Sequence, residues 1–272
     1  MSQNESVAKG PVVAALTGEW ASLDQLLDGL PDEQWVRPTC LPGWRVTDVV
    51  AHLIGTESML AGDAAPETGV DVKTLPHVRN DIGAFNEQWV QALREEPPAE
   101  VLRRFREVIA RRTEQLEELP QSDFDAPSWT PAGQATYARF MRIRLYDCWM
   151  HEQDVRVALA VPGNEVGTAA EGALGEVTRA LGYIVGKLAG APDGVVVRFE
   201  LTGPLERRLT VAVDGRAKVV DEAPEPPTAT LRMTSSLFMR LTGGRKGDLA
   251  GVGLDGDTAL ARQVLDNLAF TM

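Results

Sequence analysis

Residues 134–159 read QATYARFMRIRLYDCWMHEQDVRVAL, and their periodicity decides the fold. At about 100° per residue, the stripe through His151 also holds Tyr137, Phe140, Arg144, Asp147, Cys148, Val155 and Ala158. That spacing predicts a long helix, packed against other helices and stopped by Pro162-Gly163. The stripe also carries an anomaly. Arg144, Asp147 and His151 stack at i, i+3 and i+7 on an otherwise core-like face. Burying unpaired charge is expensive, so mutual pairing, water or a cation has to compensate them.

The segments upstream are helical in pattern. Val13, Leu16, Trp20, Leu23, Leu27 and Leu30 recur at helical spacing up to Pro31. A loop over residues 39–44 leads into a second helix, capped at Thr47 or a neighbour, which runs to about Leu60. Residues 76–119 are helical again, split or kinked at Pro97-Pro98, and 120–133 read as a loop.

Downstream of Pro162-Gly163, residues 165–188 form one more helix, and after Gly190 the period changes. Strands are predicted at 195–201, 209–213, 217–220 and 228–233, with Asp214-Gly215 as a hairpin turn. Helices follow over 235–241 and 258–268. The expected class is α+β: a helical domain over 1–163 and a smaller α/β domain over 164–272, with 164–190 as a bridging helix.

Composition narrows the function. The net charge of −12 and the lack of a basic run argue against nucleic acid and against an anionic membrane surface. Arg103-Arg104 and Arg111-Arg112 lie among glutamates and read as a solvated face. Two cysteines, Cys40 and Cys148, make no disulfide framework. With no basic start and apolar stretch at the N-terminus, and no run of about 18 apolar residues, a cytoplasmic protein is expected; a small-molecule partner or another protein remains open, and the chain is expected to be a monomer or homodimer.

Asp147 and His151, at i, i+4, place two ligand types on one helical face. His52 lies on the apolar face of the second helix, with Val49, Leu53, Thr56, Met59 and Leu60, and offers a third. Imidazole and carboxylate suit Zn²⁺, and three protein ligands leave a fourth position open. The plainer reading pairs Arg144 with Asp147 and leaves His151 hydrogen-bonded nearby. Asp154 either orients His151 or is a surface acid. Cys148 reads as a small buried apolar residue, Cys40 has no base near it in sequence, His77 reads as a surface residue and Glu57 as solvated.

Residues 41–53, LPGWRVTDVVAHL, together with the His-x-x-Asp-Val run at His151, Asp154 and Val155, resemble the mycothiol-dependent maleylpyruvate isomerase family within the DinB-like superfamily. The resemblance implies an N-terminal DinB-like four-helix bundle and a C-terminal domain resembling sterol-carrier proteins. It implies a divalent metal, Zn²⁺ foremost, on His52, Asp147 and His151. The family's acidic ligand is Glu, and Asp147 is shorter by about 1.5 Å. It also implies an arginine in the C-terminal domain, which falls on Arg245 after Leu241-Thr242-Gly243-Gly244.

The implied activity is thiol chemistry. Mycothiol, a low-molecular-weight thiol, would add to a small electrophile in an isomerase or S-transferase reaction. Arg144 or Arg245 would grip a substrate carboxylate. A non-catalytic metal- and small-ligand-binding protein and a metal-dependent hydrolase are the alternatives.

Overall fold

The computed structural model describes residues 7–271. The chain divides into two compact units, Met1–Gly163 and Asn164–Met272. It mixes helix and sheet, with the longer helices in the first unit and the larger sheet in the second.

In the first unit, helix α1 (Lys9–Leu27) packs on α5 (Pro98–Glu118) and α7 (Tyr137–Leu159), while α3 (Val46–Leu60) packs on α4 (Asp81–Leu93), α5 and α7. Short helices α2 (Asp32–Trp35) and α6 (Gln121–Phe124) fill the connections. The core between them holds Leu16, Trp20, Leu23, Phe105, Leu116 and Met141. Helix α3 begins where the backbone N–H of Arg45 donates to Asp48 Oδ2 at 2.7 Å. Arg94, at the end of α4, then clamps the same buried carboxylate, Nε to Oδ1 and Nη2 to Oδ2, each at 3.0 Å. An acid in the first turn also suits the helix dipole. Thr47 does not cap the helix; its hydroxyl donates to the Trp35 carbonyl instead.

Several expectations are corrected. The first helix stops at Leu27, three residues before Leu30, because Gly29 adopts φ +67°. The long helix starts at Tyr137 rather than Gln134. Thr136 is its cap, accepting from the Arg139 N–H at 3.1 Å. Residues 133–136 are strand β2, paired antiparallel with β1 (Pro127–Thr130) inside the segment read as loop. The sequence hides this hairpin because its strands are four residues long and neither alternates cleanly.

The second unit holds a five-stranded sheet in the order β5-β4-β3-β6-β7. Its strands are β3 (Val196–Thr202), β4 (Arg207–Asp214), β5 (Arg216–Val220), β6 (Ala229–Thr234) and β7 (Gly253–Gly256). Only β3 and β6 run parallel, with Phe199 opposite Leu231. Strand β4 turns into β5 around Gly215 at φ +62°. Strand β7 escapes the sequence reading because Gly-Leu-Asp-Gly has no strand signature. Helices α8 (Thr168–Tyr183), α9 (Ser235–Thr242) and α10 (Thr258–Asp266) pack on this sheet, and α8 runs into a π turn over Ile184–Leu188. No helix among the described residues is long and apolar enough to cross a membrane.

Candidate metal centre

Helices α3 and α7 bring His52, Asp147 and His151 together. His52 Nε2 lies 3.2 Å from Asp147 Oδ2, and His151 Nε2 lies 3.6 Å from Asp147 Oδ1. One ligand atom from each residue fits within 4.8 Å of the others. Tetrahedral Zn²⁺, with bonds of about 2.0–2.2 Å, sets its ligand atoms roughly 3.4 Å apart. Both distances lie near that value, each to a different oxygen of Asp147, and the donor types suit a divalent cation. His52 and His151 are buried, while 31% of the Asp147 side chain is exposed, so the cluster opens on its carboxylate side.

The two imidazoles meet edge to face, with centroids 4.8 Å apart. Trp44, from the Pro-Gly-Trp loop, lies against both, at 5.4 Å from His52 and 6.1 Å from His151. Its indole N–H donates to the buried Glu87 Oε2 at 3.0 Å. His77 Nε2 reaches the same oxygen at 2.9 Å from a half-buried position. Behind His151, Nδ1 sits 3.3 Å from Asp154 Oδ2. Asp154 is buried, and its Oδ1 accepts the Cys40 thiol at 3.1 Å. That pairing across 114 positions was invisible to a reading that sought a base beside Cys40 in sequence.

The electrostatics divide the roles. Burial would raise the Asp147 pKa, but Arg144, His151 and the hydrogen bonds from both histidines hold it well below the ordinary carboxylate value. Burial pushes His52 below its ordinary value despite Asp147. For His151, burial pulls the same way, but Asp147 and Asp154 outweigh it, and its pKa is raised. Without a cation the cluster therefore favours an ionised Asp147, and a proton taken up by the two histidines goes to His151 before His52.

Arg144 is 3% exposed. Its Nη1 donates to Asp147 Oδ2 and its Nη2 to Cys148 Sγ at 3.4 Å. Its Nε donates to Glu57 Oε1 at 2.9 Å. Glu57, expected in solvent, is 0% exposed, and its other oxygen accepts from Arg112 Nε at 3.1 Å. Arg112 is correspondingly buried rather than on a solvated face. The signal was present: Val101, Phe105, Val108, Arg112 and Leu116 are the inward positions of α5. Burial, above all, also pushes the Cys148 thiol far up. Arg245 follows α9 in the second unit, where its Nη1 donates to the Gly243 carbonyl.

Residues 16–156 match the mycothiol maleylpyruvate isomerase N-terminal domain, and residues 171–263 match the MDMPI C-terminal domain, its C-terminal counterpart. Two uncharacterised proteins of Mycobacterium tuberculosis, from strains CDC 1551 / Oshkosh and ATCC 25618 / H37Rv, are each 31% identical over 198 residues. The match spans 72% of this chain and 74% of each relative. Two crystal structures of the mycothiol-dependent maleylpyruvate isomerase, one of a histidine-to-alanine mutant, superpose with a TM-score of 0.59 at 16% identity. They cover 94% of this chain and 96% of theirs, which shows a shared fold. With both halves matched in order, the chain belongs to the mycothiol maleylpyruvate isomerase family.

Proposed function

We propose that the chain is an enzyme that binds a divalent metal, Zn²⁺ foremost, on His52, Asp147 and His151, and uses mycothiol as a thiol cosubstrate against a small electrophile. The observation that carries this reading is the convergence of three donor atoms within 4.8 Å, from two helices of the family-matched unit. We also assign the first unit, 1–163, to a DinB-like four-helix bundle and the second, 164–272, to a sterol-carrier-like α/β domain. The packing of long helices in the one and the sheet covered by helices in the other support this.

When bound, a divalent cation would supply Lewis acidity and favour the thiolate form of a nearby thiol. The chain's own residues set the conditions. Asp147 stays anionic at neutral pH, His52 stays neutral with a lone pair to offer, and His151 would serve as a ligand only in its neutral form. Trp44 shields the histidine side of the cluster from water, leaving approach from the Asp147 side. In an isomerisation, the thiolate adds to a conjugated double bond, the resulting single bond rotates, and elimination returns the thiol and a trans alkene. In a transfer reaction the carbon–sulfur bond is kept. Arg144 and Arg245 are the two candidates for gripping a substrate carboxylate, and each also donates within its own unit.

The test is elemental analysis of the wild type beside His151→Ala, followed by assay of maleylpyruvate isomerisation with and without mycothiol. About one equivalent of metal in the wild type, lost in the variant, with thiol-dependent turnover, is the expected result. No metal uptake after adding Zn²⁺ would reduce the cluster to an ion-pair network. Isomerisation that proceeds without thiol would overturn the mycothiol role, and metal without turnover would point to a binding protein.

A further inference from the structure

We propose that Glu57 is the positioning residue of this centre: by fixing Arg144 between itself and Asp147, it presents the short Asp147 carboxylate to both histidines. The inference rests on the metal reading above and extends it to residues that touch neither cation nor substrate.

The argument is geometric. Asp147 is the most exposed member of the cluster, with 31% of its side chain open against 6% and 9% for the histidines, so it has the most freedom to swing away. Arg144 prevents that through Nη1 on Oδ2, which leaves Oδ1 turned toward His151. Arg144 holds only if it is itself held. Glu57 Oε1 lies 2.9 Å from both its Nε and its Nη2, fixing the plane of the guanidinium. Glu57 is anchored in turn, since its Oε2 accepts from Arg112 on α5, and Arg112 is steadied by Tyr137 Oη at 2.8 Å. The alternating row Arg112, Glu57, Arg144, Asp147 thus ties α5, α3 and α7 to one carboxylate. Apolar side chains of similar volume would serve stability as well or better than such buried charges. What the row adds is placement of its last member.

The full chain, stripped of metal, is titrated with Co²⁺, whose visible absorption reports coordination geometry. Glu57→Gln is expected to weaken Co²⁺ binding about 10- to 100-fold and to change the spectrum. Leu23→Ala, which hollows the core under α1 without removing a member of the row, should lower the melting temperature but leave both readouts alone. Glu57→Asp keeps the buried charge, so it serves if the amide variant fails to fold; it too should weaken binding, because its carboxylate draws back from Arg144. A folded Glu57 variant with wild-type affinity and spectrum overturns the proposal. If the wild type itself takes up no Co²⁺, the metal reading fails first, and this inference with it.

Discussion

Three histidines in the whole chain make the proton inventory of the centre directly readable by NMR. His151 is raised and His52 lowered from an ordinary value of 6.5, so on raising the pH of metal-free protein His52 must lose its proton first. The opposite order would contradict the assignment of the proton to His151. The sign carries into stability. The stabilising effect of charged His151 is complete below 6.5 and is lost as pH rises through its raised value. Asp147→Glu is a second test at this scale. The shorter side chain already lies 3.2 and 3.6 Å from the histidine nitrogens, so one more methylene should not improve metal affinity. A tenfold gain in Zn²⁺ affinity would mean that aspartate leaves the site too wide. Arg245→Ala should raise KM for a carboxylate substrate with little change in kcat; an unchanged KM would remove Arg245 from substrate binding. The legibility of the site followed side-chain spacing. His151 and Asp147 stand four apart on one helix, so a pattern showed them; Glu57 and Arg112 are 55 positions apart and meet only through packing.

At the scale of elements, the contact of α3 with α4 depends on a missing side chain. A Cβ on Gly55 would come within 2.4 Å of the Trp89 ring and 2.7 Å of its Cβ, close to the backbone where the side chain cannot swing aside. Helix propensity favours Gly55→Ala by about 1 kcal/mol, but overpacking costs about 1–3 kcal/mol. The variant should therefore be neutral or destabilised in urea unfolding; a gain of a full 1 kcal/mol would show that α4 moves away freely. The long helices were readable because an apolar stripe repeated over many turns survives a few exceptions. The β1–β2 hairpin and β7 were not, since four residues give a period of two almost nothing to repeat. Helix limits failed where one residue's backbone decided them, as at Gly29 and Thr136.

Across the whole molecule, the order of helices followed by sheet was legible from the break at Pro162-Gly163 and the change of period after Gly190. Metal binding should be felt at this scale as mass action. A cation at 100 times its Kd stabilises the state that binds it by about 2.7 kcal/mol. Calorimetry with Zn²⁺ should show the unfolding transition of the unit that holds α3 and α7 move upward, and a chelator should reverse it. His151→Ala should be indifferent to both; a shift of equal size in that variant would place the stabilising cation elsewhere.

The row of four charges also constrains how this sequence can change over generations. Losing Glu57 alone removes the one acid shared by two buried arginines, and losing Arg144 alone removes the arginine shared by two acids, so each single step is destabilising. Positions 57, 112 and 144 should therefore be inherited as a set: relatives with an apolar residue at one are expected to have replaced the others, even where both histidines remain.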